Sequence, residues 1–128
     1  MSIKVVELHH HGIRIGTSQE DVEKARTFYT DVLGLHTDSH RPNIPSIPGF
    51  WMYVGEGERT TQIHLMGAQG RSPMARSDKE DPTLPHVALA VENIQEAKEE
   101  LEKRGLWHWQ IKGLVGPNSD QVFVQDPF

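Results

Sequence analysis

The sequence contains no cysteine, which excludes disulfides and thiolate metal ligands and leaves any metal to imidazole and carboxylate groups. It also lacks the apolar run of about 18 residues that a transmembrane helix needs. The amino terminus has no basic segment followed by an apolar one, as secretory signals do. These absences predict a cytoplasmic protein that does not span a membrane.

Positive charge is scarce as well. Lys and Arg number 13 against 18 Asp and Glu, which gives a net charge of −5 at pH 7, and the basic residues form no run. This balance argues against nucleic acid or an anionic membrane as the partner and favours a small molecule or a protein. A chain of 128 residues is long enough for one domain with its own core and short for two independent ones.

What the sequence does contain is a near repeat. The segment His10–Ile15, His-His-Gly-Ile-Arg-Ile, returns as His86–Val91, His-Val-Ala-Leu-Ala-Val, and a helical pattern ending in Gly-Leu follows each copy. The repeat predicts a single domain built from one module used twice. We place the first module at 1–66, a linker at 67–85 and the second module at 86–128.

Two helices are predicted from capping residues and apolar spacing. The first begins near Thr17, three residues before Glu20, and ends at Gly34. The second begins at Asn93 and ends at Gly105. Residues at helical spacing in both segments are expected to face the core: Val22, Ala25, Phe28, Tyr29, Val32, Ile94, Ala97 and Leu101.

Alternation and β-branched or aromatic runs predict the strands. Val5 to Ile15 is the first, and the runs 50–54 and 61–66 form a hairpin across a short turn. Residues 121–125 repeat the first strand of that hairpin, but no counterpart of its second strand follows. Either the chain continues beyond this sequence or a sheet edge is left open. The polar segment 67–85 is either a flexible linker, which we favour, or a loop over the site.

Eight histidines are present, and the repeat sorts them. His10 and His86 occupy equivalent positions at strand starts, and His64 is expected on the same face of its strand. Three imidazoles on one surface suit Zn, Ni, Co, Mn or Fe, whereas the alternative is that they are simply buried and hydrogen-bonded. Five histidines are weaker candidates for metal ligands, because they are expected on another strand face than His10 or lie in loops and at element ends: His9, His11, His36, His40 and His108.

Arg14 shares a predicted face with His10. A buried arginine needs an anionic partner, so Arg14 either pairs with a local carboxylate or binds a carboxylate or phosphate of a substrate. Trp51, Tyr53 and Phe123 are candidates for a substrate cleft, although aromatic residues in strands are also typical of cores.

The sequence resembles the vicinal oxygen chelate superfamily, which includes glyoxalase I, bleomycin and fosfomycin resistance proteins, methylmalonyl-CoA epimerase and extradiol dioxygenases. The resemblance implies an α+β fold in which paired βαβββ modules form a cupped mixed sheet around one metal, with helices on the outer face. The matching pieces run in the family's order: His10–Ile15, Phe28–Leu35, Gln62–Leu65, His86–Val91 and Val122–Pro127.

Carried over by position, the resemblance implies that a divalent metal is bound by His10, His64 and His86. The family's fourth ligand, a glutamate, is expected beyond Phe128, so the catalytic base is not assigned. The implied activity is that of a glyoxalase I-like lyase or isomerase, with Arg14 anchoring an anionic substrate and the protein forming a homodimer. The alternatives are an extradiol-type dioxygenase, a thiol transferase, or a non-catalytic protein that sequesters a ligand.

Overall fold

The computed structural model describes residues 2–44, 46–56 and 61–128. They contain seven strands, two α-helices and a π-helical segment. In chain order these elements are β1 (Val5–Ile15), α1 (Gln19–Thr27), the π-helical segment (Phe28–Val32), β2 (His36–Thr37), β3 (Gly49–Tyr53), β4 (Gln62–Gly67), β5 (His86–Val91), α2 (Ile94–Lys103), β6 (His108–Lys112) and β7 (Asp120–Val124).

The described strands form a mixed sheet of five in the order β2-β3-β4-β1-β5 and a separate pair, β6-β7. Both halves of the chain run strand, helix, strands, as the repeat predicts, so the α+β class is confirmed. No helix in the described ranges is long and apolar enough to cross a membrane.

The contacts divide the chain into two compact units. One is Leu8–Ala88, and the other combines Met1–Glu7 with Leu89–Phe128. The units follow contacts and not the sequence repeat, because the segment 67–85 groups with the first half of the chain. All three histidines expected to bind a metal belong to the unit Leu8–Ala88.

Strand pairing within the unit Leu8–Ala88 sets which side chains share a face. β1 and β4 are parallel, with His10 opposite Gln62 and Gly12 opposite His64. β3 and β4 form the predicted antiparallel hairpin, in which Trp51 lies opposite His64. Residues directly opposite one another point to the same side of a sheet. The register therefore puts the imidazoles of β1 and β4 beside the indole of β3.

The other face of this hairpin forms the core. Met52 and Leu65 have the opposite parity to His64 and are the most completely buried large side chains of the described residues. The turn expected between the two strands includes Gly57, which lies outside the described residues.

Both helices begin at a side-chain cap. Asn93 accepts a hydrogen bond from the backbone N–H of Glu96 at 3.0 Å, as predicted. In the first helix the cap is Ser18, whose Oγ accepts from Asp21 N at 3.0 Å, so the prediction of Thr17 was wrong by one residue. The serine oxygen reaches the third N–H of the helix, which otherwise has no partner.

The first helix changes to π-helical geometry over Phe28–Val32. The wider turn rotates later side chains away from the stripe begun by Val22. Val22 is buried, whereas Phe28 and Val32 are 48% and 66% exposed. The expectation that Phe28 and Val32 face the core was therefore wrong.

The unit that contains α2 also holds the β6-β7 pair. Ala97 and Leu101 of α2 are buried, as predicted. The sequence analysis did not predict β6, which pairs antiparallel with β7 and places Trp109 opposite Phe123. These two rings stack with centroids 4.4 Å apart.

Candidate functional site

The structure brings the three histidines from β1, β4 and β5 together. The His10 ring stacks on that of His64 with centroids 3.7 Å apart and planes 15° from parallel. The Nε2 atoms of His10 and His86 are 3.1 Å apart. Gly12 of β1 leaves the space that the His86 ring occupies. The candidates named from the repeat thus form one cluster, which we call the histidine cluster.

The histidine cluster is neutral near pH 7. Burial, followed by the neighbouring His86, His9 and His11, lowers the pKa of His10 to about 3. Burial and the nearby His10 lower the pKa of His64 to about 2. Burial also lowers the pKa of His86, against the opposite effect of its hydrogen bond to a backbone carbonyl. Each of the three rings therefore carries one N–H and one lone pair.

The hydrogen bonds of neutral imidazoles have a direction, and here a carbonyl sets it. His86 Nδ1–H donates to Leu84 O at 2.6 Å, which leaves His86 Nε2 as an acceptor. His10 Nε2–H therefore donates to His86 Nε2, and His10 Nδ1 accepts from His9 Nδ1–H at 2.9 Å. His9, which is exposed, is the outer end of this series.

A second series of hydrogen bonds sets the tautomer of His64. Burial alone would raise the pKa of Asp38, but hydrogen bonds from His40, Gln62 and Tyr53 lower it, so the carboxylate only accepts. Gln62 Nε2 donates to Asp38 Oδ2 at 2.9 Å, which turns its Oε1 toward the ring. His64 Nε2–H then donates to Gln62 Oε1 at 2.8 Å. The lone pair of His64 consequently lies on Nδ1.

Trp51, a predicted substrate contact, covers the other side of His64. The two rings are stacked 4.5 Å apart with planes 8° from parallel. Trp51, His64 and His10 therefore form a continuous stack of three rings. Phe123, the second predicted aromatic contact, stacks on Trp109 in the other unit, and its role at a substrate stays a prediction.

Arg14 has local partners, the first of the two alternatives weighed from the sequence. Its Nε donates to Thr83 O at 3.0 Å, and NH2 donates to Gly70 O at 2.7 Å and to Thr83 Oγ1 at 2.9 Å. The carboxylate of Asp81 lies 3.4 Å from the same NH2. The guanidinium charge is thus balanced within the protein, and a contact between Arg14 and a substrate stays a prediction.

The buried carboxylate of Asp81 also anchors the segment 67–85. It accepts hydrogen bonds from the backbone N–H and Oγ of Ser72 and from the N–H and Oγ1 of Thr83. Ser72, Asp81 and Thr83 are each at most 5% exposed. Although residues 68–85 form no helix or strand, an internal network connects the segment to β1.

The nitrogen atoms of the histidine cluster can be compared with those of a divalent metal site. Nitrogens that share a metal with bonds of about 2.1 Å lie about 3.0 to 3.4 Å apart, and the 3.1 Å between His10 and His86 Nε2 falls in that range. His64 Nε2 is instead bonded to Gln62. Among the described residues, no three His, Cys, Asp or Glu side chains are already arranged to hold a metal ion. Imidazole nitrogens are suitable ligands for a divalent metal, and the distance between the Nε2 atoms of His10 and His86 suits a shared metal ion.

Three residues of this site were missed by the sequence analysis. His9 was set aside because neighbours in a strand point to opposite faces, yet its Nδ1 reaches that of His10. Gln62 has the same parity as His64, a signal that could have identified it. Asp38 follows a two-residue strand and carries no such signal.

Comparison with known protein families gives one match. Residues 8–128, nearly the whole chain, match the profile of the Glyoxalase/Bleomycin resistance protein/Dioxygenase superfamily. A comparison with curated proteins gives no match. The matched region includes the unit Leu8–Ala88, the segment Leu89–Phe128 of the other unit and every residue of the histidine cluster. The chain belongs to the Glyoxalase/Bleomycin resistance protein/Dioxygenase superfamily.

Proposed function

We propose that this protein is a metal-dependent, glyoxalase I-like enzyme that acts on a small substrate with vicinal oxygens. The observation that carries the proposal is the 3.1 Å separation of His10 Nε2 and His86 Nε2. Both rings are neutral near pH 7, and a neutral imidazole is the form that binds a metal.

His10 and His86 would hold the metal through Nε2. Coordination by His10 Nε2 needs the tautomer with the proton on Nδ1, and His9 Nδ1 is placed to accept that N–H at 2.9 Å. A second hydrogen bond of this kind orients a ligating histidine. His64 would be the third donor once its Nε2 gives up the hydrogen bond to Gln62.

A divalent metal bound here would supply Lewis acidity toward the vicinal oxygens of a substrate. The chain's own residues bury and orient the imidazoles. Trp51 covers one side of His64, and His10 and His64 are each only 8% exposed, which keeps bulk water from the rings. The register of β1 and β4 determines where the two rings lie.

The aromatic stack supports a second candidate function, a protein that sequesters a ligand without chemistry. Trp51 is the partly exposed end of the stack that it forms with His64 and His10, and a planar ligand could stack on its outer face. Such a protein needs no metal, so metal content separates the two candidates.

The test is elemental analysis of protein purified without added metal, together with His10→Gln and His86→Gln variants. His36→Gln, an exposed histidine, is the control. About one metal per chain, lost in both cluster variants and kept in the control, supports the proposal. No metal in the parent protein and none taken up on titration contradicts it and leaves the sequestering protein.

Activity assays on the loaded protein then separate reactions within the superfamily. Isomerisation of a hemithioacetal supports the glyoxalase I-like proposal. Oxygen uptake with a catechol, or addition of a thiol to an electrophile, would assign the alternative oxygenase or transferase activity instead.

A further inference from the structure

Unlike Arg14, Arg41 has no anionic partner among the residues that the structure describes. It lies in the connection between β2 and β3, where NH2 donates to Ile47 O at 2.7 Å and NH1 reaches Pro42 O at 3.4 Å. Its Nε is buried and has no hydrogen-bond acceptor within residues 2–44, 46–56 and 61–128. Within the described residues, both partners of this guanidinium are neutral backbone carbonyls.

This arrangement is costly for the folded protein. A buried N–H without an acceptor loses its hydration, and a partly buried cation without a counterion loses more. Burial lowers the pKa of Arg41 accordingly. The nearest acid along the chain, Asp38, is bound to His40 and Gln62 instead. A group that supplies negative charge and an acceptor would remove both penalties.

Arg41 is connected to the histidine cluster through hydrogen bonds. Its backbone N–H donates to Asp38 O at 3.4 Å. The same loop carries Asp38, which is joined to His64 through Gln62. An anion held by Arg41 would therefore lie near the imidazoles.

Arg14 is less suited to the same role. Four hydrogen bonds, one of them to Asp81, already occupy its guanidinium. In the described part of the chain, the Arg41 side chain makes two hydrogen bonds and its Nε–H has no acceptor. Guanidinium groups bind carboxylates and phosphates through paired N–H donors.

We propose that Arg41 is the anion-binding residue beside the histidine cluster and that its ligand carries a carboxylate or phosphate group. The Nε–H and the remaining N–H groups donate to that oxyanion. That the anionic group belongs to a substrate rests on the proposed function, whereas the anion-binding site itself does not.

The experiment follows the arginine Nε–H signals by NMR in protein labelled with nitrogen-15 and stripped of metal. Malonate and inorganic phosphate are titrated separately, so that the two sources of the oxyanion are distinguished. We expect at least one probe to shift the Arg41 Nε–H signal. Neither probe shifting that signal would overturn the proposal.

Variants measure the contribution of the residue. We expect Arg41→Gln to weaken binding of the effective probe at least tenfold, and Arg71→Gln, at an exposed arginine of the same unit, to leave it unchanged. Equal binding by wild type and Arg41→Gln, or loss of binding only in Arg14→Gln, would overturn the proposal. Arg41→Lys keeps the charge and is expected to recover part of the affinity.

Two further readouts separate folding and metal effects. If Arg41→Gln loses its folded circular dichroism spectrum, the wild-type Nε–H titration alone decides the proposal. Metal titration of Arg41→Gln is expected to match wild type. A protein that binds the anion through Arg41 but takes up no metal would contradict the proposed function and support the anion site.

Discussion

Gly12 lies directly against the imidazole of His86. A Cβ built on residue 12 would fall 2.5 Å from His86 Cε1 and 2.8 Å from Nε2, closer than side chains approach one another. The distance of 3.1 Å between His86 Nε2 and His10 Nε2 therefore depends on residue 12 being a glycine, which has no side chain.

Gly12→Ala is expected to displace the His86 ring and weaken metal binding at least tenfold. The added methyl also costs about 1 to 3 kcal/mol of unfolding free energy through overpacking. Zinc affinity by calorimetry and unfolding in urea measure the two effects.

The control for Gly12→Ala is Gly105→Ala. Gly105 has a φ of 67° and open space around it, so alanine there strains the backbone without touching the histidine cluster. Gly105→Ala should lose stability and keep metal affinity. Wild-type affinity in Gly12→Ala would show that the glycine does not position His86.

The metal-free protein is expected to lose stability as the pH falls below about 6.5. The folded state holds the pKa of His10 at about 3 and that of His64 at about 2, so the unfolded chain binds protons that the native state does not. The free energy of unfolding then falls with decreasing pH by up to about 1.4 kcal/mol per pH unit for each such histidine.

Urea unfolding between about pH 7 and pH 5 measures this slope. His64→Gln should reduce the slope by the share of one histidine. A free energy of unfolding independent of pH over this range would contradict neutral, buried imidazoles.

Asp38→Asn is expected to change the tautomer of His64. In wild type the acceptor-only carboxylate orients Gln62, and His64 carries its proton on Nε2. An asparagine amide can donate to Gln62 Oε1, which lets both amides invert and moves the imidazole proton to Nδ1. NMR spectra that correlate the imidazole protons with the ring nitrogens over two bonds, recorded on metal-free protein labelled with nitrogen-15, report the tautomer.

His40→Gln is the matched control for Asp38→Asn. The His40 side chain contacts Asp38 from solvent and is 77% exposed, so its replacement should leave the His64 tautomer unchanged. A wild-type His64 with its proton on Nδ1 would refute the assigned series of hydrogen bonds.

Asp81→Ala is expected to destabilise the protein by about 3 kcal/mol, because it leaves Arg14 without its counterion and the groups of Ser72 and Thr83 without their acceptor. Asp78→Ala, at an exposed acid of the same segment, should change stability by less than about 0.5 kcal/mol. Equal urea midpoints for the two variants would show that the segment 67–85 is not anchored by Asp81.

The fold was predictable where local sequence determines local structure. Asn93 caps α2 because its side chain reaches an N–H three residues later, and alternation marks β1 from His10 onward. The π-helical turn had no such signal, because it arises when Leu33 N bonds to Phe28 O, five residues back. β6 did carry a signal that was not used, because Trp109 and Ile111 alternate with polar residues along it.

The candidate site was predictable only in part. The repeat identified His10 and His86, since equivalent positions in a duplicated module come together. The expected place at a strand start is correct for His86 but wrong for His10, which lies in the middle of β1. The partners of Arg14 and His64 depend on side-chain conformations and on contacts between distant segments. Asp81 lies 67 residues from Arg14 along the chain, and no local pattern relates the two.

The most direct measurement is a calorimetric titration of chelator-treated protein with Zn²⁺ or Ni²⁺, repeated on His10→Gln, His86→Gln and His11→Gln. His11 is an exposed neighbour of the cluster in the chain and is the control. The account predicts one metal per chain, with affinity reduced at least about a hundredfold in the first two variants and kept in the third. No binding by wild type, or binding by His10→Gln and His86→Gln as tight as that of wild type, would contradict it.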